Sequence, residues 1–196
     1  MSAVVTDAGP SRDSVGMSAA SPAQPADADV SWVVAAYREH FRYIYALVGR
    51  LGVPPALVED LTQEVFLVLH RRRDEFRGES SVKTWLHGIA VHIARRRREQ
   101  LRRRERRDSE LGEVAAPVSP ESELDRRQAL RTLDQLLEHL ADEQREVFVL
   151  IEVSGCSAPE VSEILGINLN TVYSRLRLAR SRLQRALDAL RARGGL

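Results

Sequence analysis

From Ser31 onward the apolar residues recur at the spacing of an amphipathic α-helix, and this pattern constrains the fold more than any other feature of the chain. The longest strongly apolar run, Val147 to Ile151, lies inside a longer segment with the same period. No segment shows the alternation of a half-buried strand. The period therefore predicts an all-α protein with an aliphatic core, since aromatic residues make up only 5% of the chain.

Breaks in the period divide the chain into four parts. Residues 1–29 are rich in Ala, Ser, Pro and Asp, and this composition predicts a disordered tail. Two small helical domains are predicted at 30–107 and 124–193, with the first helix beginning after an N-cap at Ser31. Residues 108–123 between them are interpreted as a flexible acidic linker; they contain no basic residue and the acids Asp108, Glu110, Glu113, Glu121 and Glu123.

Charge is distributed unevenly, although the net charge is only +1. Nine of the thirteen residues from Arg95 to Arg107 are Arg, whereas 108–146 holds eleven acids and four Arg. The basic block is suited to phosphate, and the alternative is a solvated charge run on a helix surface. Because the charges nearly cancel, strong sequence-independent DNA binding by the chain alone is not expected.

Several classes of protein are disfavoured by the sequence. No apolar run approaches the length of a membrane span, and no secretory signal is recognisable, so we expect a cytoplasmic protein without membrane insertion. The single cysteine, Cys156, forms neither an internal disulfide nor a Cys-based zinc site alone, and we interpret it as a small buried residue. His87 and His92 are five residues apart, a poor spacing for a helical metal pair, and we expect no metal and no cofactor.

A helix-turn-helix is predicted near the C-terminus. Ser157 and Glu160 have the spacing of a capping box, Gly166 stands where a tight turn needs positive φ, and Asn168 is placed to cap the next helix. That helix directs Thr171, Tyr173, Ser174, Arg175, Arg177 and Arg180 away from its apolar stripe. Such side chains suit base edges and phosphates in a major groove, and the alternative is packing in a bundle with a solvated Arg face.

Three separate stretches, taken together and in order, carry a family resemblance. They are 60–66 (DLTQEVF), 76–91 with its FRG, TWL and IAV elements, and 142–176 with DEQREVF, ILGI and TVYSRL. The chain resembles a bacterial RNA polymerase sigma factor of the extracytoplasmic function group over about residues 30 to 190.

The resemblance implies a division of labour between the domains. The first domain would bind the beta-prime clamp of core RNA polymerase and recognise and melt the −10 promoter element, and the second would bind near the beta flap and read the −35 element. It implies core-polymerase-binding residues Asp60, Gln63, Glu64 and Phe66. It implies −10 DNA-binding residues Phe76, Ser80, Ile89, His92, Arg95 and Arg96. It implies −35 DNA-binding residues Asn170, Thr171, Tyr173, Ser174, Arg175, Arg177 and Arg180. It also implies an anti-sigma partner that holds the protein inactive.

The sequence departs from the family pattern at a few positions. His92 stands where relatives often have an Asn that holds a flipped-out −10 base, and Tyr173 and Leu178 stand where Lys or Arg is common. These differences predict a promoter sequence that does not transfer from well-known relatives. Trp85, Phe66 and Phe148 are interpreted as core residues rather than recognition residues.

Three further interpretations follow at this stage. The acidic linker is suited to imitating nascent RNA in the polymerase, with a solvated spacer as the alternative. The protein is expected to be a transcription initiation subunit and not an enzyme. Its rivals are a dimeric helix-turn-helix repressor and a metal-dependent nucleic-acid enzyme using the acidic face at Glu59, Asp60 and Glu64.

Overall fold

The fold is all-α throughout the part of the chain that the computed structural model describes, residues 25–108 and 132–192. The N-terminal half forms helices α1 (Pro25–Arg50), α2 (Pro55–Arg71) and α3 (Val82–Asp108), with a 3₁₀ turn at Arg73–Glu75. The C-terminal half contains α4 (132–138), α5 (Asp142–Phe148), α6 (Ala158–Leu165) and α7 (Leu169–Ala192). The described ranges contain no strand, which confirms the predicted fold class.

The N-terminal helices begin and end largely where local chemistry places them. Gly52, with φ of 82°, terminates the turn after α1, and Pro55 occupies the first turn of α2. The Ser81 hydroxyl accepts a hydrogen bond from the Thr84 amide at 3.0 Å and caps α3. The prediction that α1 begins after Ser31 was wrong, because α1 already begins at Pro25, where a proline is compatible with a helix N-terminus and two alanines follow.

The predicted helix-turn-helix signals all have the expected geometry. Ser157 and Glu160 form the capping box, and these hydrogen bonds lower the pKa of the Glu160 carboxyl. Gly166 ends α6 with φ of 64°, and the Asn168 side chain accepts from the Thr171 amide at 2.8 Å to cap α7. The capping box, the left-handed glycine and the asparagine cap therefore set the turn between α6 and α7.

The segment that joins α5 to α6 differs from the single helix that the sequence predicts. Val149–Val153 widens into a π-helical turn, in which the Ser154 amide donates to the Val149 carbonyl. Val147, Val149 and Leu150 are all fully buried there. A regular α-helix would turn one of these three side chains away from the others, so the wider turn accompanies burial on more than one side.

Two aliphatic layers form the core. In the N-terminal half Ile44, Leu51, Leu69 and Leu86 are fully buried among α1, α2 and α3, and in the C-terminal half Val147, Leu150, Val161 and Val172 are fully buried among α5, α6 and α7. The halves meet where α3 packs against α6 and reaches the start of α5. We call this contact between α3 and the C-terminal helices the interdomain seam.

Candidate nucleic-acid interface

A stack of three aromatic rings stands at the loop that leads into α3. The Phe76 ring stacks on Trp85 of α3, with centroids 5.2 Å apart and planes at 28°. It also stacks on Trp32 of α1, at 5.4 Å and 29°. Phe76 therefore stacks on two indoles, one from α1 and one from α3.

Trp85 lines two cavities that hold most of the predicted −10 residues. The first, of about 490 Å³, is lined by the 74–80 loop including Phe76 and Ser80, together with Trp85. The second, of about 380 Å³, is lined by Ile89, His92 and Arg96, again with Trp85. The structure thus brings the −10 candidates to one end of α3 but divides them between two cavities.

Trp85 was predicted to be a core residue, and its position is more complex than that. Its side chain is half-buried and packs on the core, yet it also lines both cavities. The sequence signal for this double role was the short interval from Phe76 through Ser80 to Trp85, all adjoining the start of α3. Of its neighbours, Ile89 is 5% exposed and His92 is exposed.

Arg95 points away from these cavities and into the interdomain seam. Its guanidinium donates hydrogen bonds to the carboxylate of Glu146 on α5. Nη2 donates to Oε2 at 2.6 Å, and Nε donates to both carboxylate oxygens at 2.9 Å. Arg98 donates to the other oxygen of the same carboxylate at 2.5 Å. Glu146 is 1% exposed, so this carboxylate is buried between two arginines of the other domain, and the Glu146 partner raises the pKa of Arg95.

The same network extends along α3 by one further turn. Arg98 lies 3.1 Å from Asp142 and donates to the Leu51 carbonyl, and Arg102 also pairs with Asp142. Three arginines of the predicted phosphate-binding block therefore contact acids of the C-terminal half. Arg96, by contrast, is exposed.

A second polar contact crosses the seam near the start of α6. The His87 ring lies 2.7 Å from the Tyr43 hydroxyl through Nε2 and 3.2 Å from the Cys156 sulfur through Nδ1. Burial lowers the pKa of His87 to about 4, helped by the charge of Lys83, and burial raises the pKa of the Cys156 thiol to about 11. Both groups are therefore neutral at pH 7. The predicted buried position of Cys156 is confirmed.

One face of α7 presents the side chains predicted to read DNA. Asn170, Tyr173, Ser174 and Arg177 are exposed and follow the i, i+3, i+4, i+7 spacing of one helix face. Opposite them Val172, Leu176, Ala179 and Leu183 are buried. Leu178 adds an apolar side chain beside this face and is 48% exposed.

The remaining predicted residues of α7 lie on its flanks. Thr171 is half-buried and its hydroxyl donates to the capping Asn168. Arg175 lies 3.6 Å from Glu143 and lines a groove of about 780 Å³ along the interdomain seam. Arg180 pairs with Glu152 of the π-helical turn. Arg175 and Arg180 thus meet carboxylates of their own domain.

Most of the residues on α2 that were predicted to bind core polymerase share one exposed face, but one of them, Phe66, does not. Asp60 and Gln63 are exposed and Glu64 is half-buried, but Phe66 is only 6% exposed and packs edge-on against Tyr37 at 4.9 Å. Leu67, which is 53% exposed, completes the i, i+3, i+4, i+7 face that begins at Asp60. Helical spacing from Asp60 was the signal that could have identified Leu67.

Some predictions concern residues that the structure does not describe. The predicted disordered tail covered residues 1–29; residues 25–29 belong to α1 instead, so that part of the prediction was wrong, and residues 1–24 lie outside the described ranges. The linker acids Glu110, Glu113, Glu121 and Glu123 also lie outside the described ranges, and Asp108 is the last residue of α3. Within 25–108 and 132–192, no helix combines the length and hydropathy needed to cross a membrane. In those same ranges no three His, Cys, Asp or Glu side chains converge as a metal cluster.

Comparison with known proteins gives consistent matches across both halves. Residues 36–107 match the family model described as Sigma-70 region 2, and residues 130–183 match Sigma-70, region 4. The ECF RNA polymerase sigma factor SigM of Mycobacterium tuberculosis strain H37Rv is 31% identical over 157 residues, covering 79% of this chain and 76% of that protein. The ECF RNA polymerase sigma-E factor of Escherichia coli K12 is 30% identical over 157 residues, covering 75% and 82%.

Solved structures with a similar fold include two complexes. The sigma factor RpoE of Bartonella quintana, crystallised with the anti-sigma factor NepR, gives a TM-score of 0.63 at 28% identity, covering 79% of this chain and 95% of that one. CnrH, solved with the cytosolic domain of CnrY, gives a TM-score of 0.60 at 23% identity, covering 84% and 94%. The second likeness concerns the fold alone.

Proposed function

This chain belongs to the extracytoplasmic function group of bacterial sigma-70 factors, which direct RNA polymerase to promoters, and we propose that it reads DNA with two separate surfaces. The observation that carries the proposal is the presence of an exposed polar face on a helix-turn-helix in one half and base-sized cavities beside stacked aromatic rings in the other. A recognition helix suits duplex DNA, whereas aromatic rings and cavities suit unstacked single-stranded bases.

The −35 surface in this proposal is the face formed by Asn170, Tyr173, Ser174 and Arg177. Arg177 is the arginine that this face presents outward, because Arg175 and Arg180 lie beside carboxylates. An arginine fork reads a guanine edge or a phosphate, and the exposed Tyr173 ring offers an apolar contact to a thymine methyl or a sugar.

The −10 surface in this proposal comprises the two cavities that Trp85 lines. Phe76 and Ser80 belong to the first cavity, and Ile89, His92 and Arg96 belong to the second. Because His92 is exposed at the rim, its ring nitrogens are available to a base. Arg95 joins this surface only when it leaves Glu146.

The proposed surface for core RNA polymerase is the α2 face of Asp60, Gln63, Glu64 and Leu67. It combines two carboxylates with an exposed aliphatic side chain, which suits a protein partner with basic groups around an apolar contact. Phe66 lies beneath this face in the core, where its ring packs against those of Tyr37 and Phe41.

The closed interdomain seam supports a regulated factor. Arg95 and Arg98 both pair with Glu146, and Arg98 also pairs with Asp142, so the described arrangement withholds these two arginines from phosphate. We propose that core polymerase separates the two halves and that an anti-sigma factor, as NepR is to the sigma factor RpoE of Bartonella quintana, covers the exposed faces. The protein is proposed to work in the cytoplasm without catalytic activity, and its acidic linker to imitate nascent RNA.

Transcription in vitro with core RNA polymerase and a pooled promoter library tests the proposal. We expect new start sites that share two motifs at fixed spacing only when this protein is added. Tyr173→Ala with Arg177→Ala should abolish selection of the upstream motif, while Arg191→Ala near the end of the same helix should retain it. Absence of both polymerase binding and new start sites would reject the proposal and favour a dimeric repressor.

A further inference from the structure

Phe76 already stacks on two indoles, although the proposed function requires an aromatic face for an unstacked base. Trp85 stacks on Phe76 at a centroid distance of 5.2 Å and Trp32 at 5.4 Å, both near 30° from parallel. A base that stacks on Phe76 therefore competes with these indoles for the surface of its ring. We propose that Trp32 occupies the place of the captured promoter base and that base capture displaces it.

Trp32 is the indole whose departure preserves the cavities. Trp85 belongs to α3 and lines both of them, so moving Trp85 would remove a wall from each. The walls of the first cavity come from residues 74–85, whereas Trp32 projects from α1. Its displacement therefore uncovers Phe76 and leaves the loop and Trp85 in place.

Exchange of the Trp32 indole for a DNA base on Phe76 should be reversible, because the two stacking interactions are similar in kind. An indole and a purine are fused two-ring systems of similar area, and each offers a π-face to a phenyl ring. Stacking of a base on an aromatic side chain and stacking between two aromatic side chains have overlapping strengths. Trp32 therefore lowers the apparent affinity for an unstacked base without preventing its capture.

Trp32 also lies outside the part of the chain that matches the family model, which begins at residue 36. The ring that covers Phe76 is therefore supplied by the segment before that match. This inference rests on the proposed −10 role of Phe76, and the experiment separates the two.

The test measures binding of a single-stranded oligonucleotide to holoenzyme assembled from core polymerase and the full chain. The oligonucleotide is the non-template −10 strand of a promoter recovered in the transcription experiment. Trp32→Ala should tighten binding about two- to tenfold, the range that an aromatic stack of ordinary strength supplies. Trp32→Phe, which keeps a smaller ring on Phe76, should give a smaller gain, and both variants should retain duplex −35 binding.

A double-mutant comparison distinguishes competition from a general effect on stability. Phe76→Ala should weaken binding in the wild-type chain, and in that background Trp32→Ala should give no gain because the shared ring is absent. If Phe76→Ala has no effect, the proposed −10 role of Phe76 fails. If Phe76→Ala weakens binding while Trp32→Ala weakens it or leaves it unchanged, the displacement of Trp32 is refuted.

A spectroscopic readout follows the ring itself. The chain has two tryptophans, so fluorotryptophan labelling gives two ¹⁹F resonances, and Trp32→Phe assigns them. Adding the oligonucleotide to the labelled holoenzyme should shift the Trp32 resonance toward that of a solvent-exposed indole. A Trp32 resonance that does not move while the oligonucleotide binds would overturn the proposal. Two dispersed resonances in the absence of DNA verify that the labelled chain is folded.

Discussion

Replacing Glu146 by Gln should open the interdomain seam. The carboxylate is 1% exposed and holds Arg95 at 2.6 Å and Arg98 at 2.5 Å. Removing one partner of a buried ion pair typically costs about 3–5 kcal/mol. Two features reduce the cost here, because Arg95 is 39% exposed and solvent can screen it, while Arg98 retains Asp142. We therefore expect Glu146→Gln to destabilise the closed arrangement by about 2–3 kcal/mol.

Cys156 supplies the assay, since it is the single cysteine of the chain and is 8% exposed against His87 across the seam. The thiolate is the reactive form, and burial raises the pKa of this thiol to about 11, so an aromatic disulfide reagent should react mainly with opened molecules. When reclosing is fast, the reaction rate follows the opened fraction. The loss of 2–3 kcal/mol corresponds to a rate increase of about 30- to 150-fold at pH 7.

The matched control is Glu152→Gln. Glu152 also pairs with an arginine, Arg180, but both residues belong to the C-terminal half and the pair is largely exposed. Its loss should change the rate by less than about threefold. Equal rates for Glu146→Gln and wild type, with both chains folded by circular dichroism, would refute the argument that the Glu146 pairs keep the halves closed.

Three further predictions concern stability. The pKa of His87 is lowered to about 4 in the folded chain, so between pH 4 and 6.5 the unfolded chain binds a proton that the folded chain excludes. The free energy of unfolding, measured in urea, should therefore be highest above pH 6.5 and fall as the pH drops toward 4, with a loss of about 2 kcal/mol at pH 5. His87→Gln should lose this pH dependence, and an unchanged slope would contradict it. Ser157→Ala removes a capping box and should cost about 1 kcal/mol by thermal melting, with no change in melting temperature as the contrary result. Gly166→Ala places its Cβ in open space but forces alanine into a backbone with φ of 64°, and it should lower the free energy of unfolding by about 1 kcal/mol. Gly88→Ala, within α3 and also with open space around its Cβ, should raise the free energy of unfolding by about 0.5–1 kcal/mol. Equal effects of the two substitutions would disprove this conformational explanation.

The seam connects these predictions with the proposed role in transcription. In the proposed function the two halves separate to read two promoter elements, and the same Arg95 that pairs with Glu146 belongs to the proposed −10 surface. Any partner that supplies phosphate to Arg95 therefore competes with Glu146. The exposure of the proposed DNA-binding arginines on α3 therefore depends on the relative position of the two halves.

Much of the local structure was predictable because its causes lie within a few residues. The capping box at Ser157, the positive φ at Gly166 and the cap at Asn168 each depend on contacts over three or four positions. The exposed and buried faces of α7 follow from helical spacing alone. The same logic would have replaced Phe66 by Leu67 on the exposed face of α2.

The functional surfaces were less predictable because their partners are distant in the chain. Trp85 could be assigned to a core by its size, but its part in lining two cavities depends on how the 74–80 loop folds against α3. Trp32 meets Phe76 only because α1 passes beside that loop. Aromatic contacts of this kind depend on the mutual orientation of elements, which periodicity within one helix does not specify.

By itself the sequence determined an all-α chain, the capped turn of its helix-turn-helix and the faces that each helix exposes, because these depend on near neighbours and on the 3.6-residue period. Only the tertiary structure decided that Arg95 and Arg98 meet Glu146 across the seam rather than facing solvent. The arginines of this block could pair with any of several acidic residues elsewhere in the chain. Which of them forms a buried pair is settled by the packing of α3 against the C-terminal helices, where burial excludes water and makes one arrangement favourable.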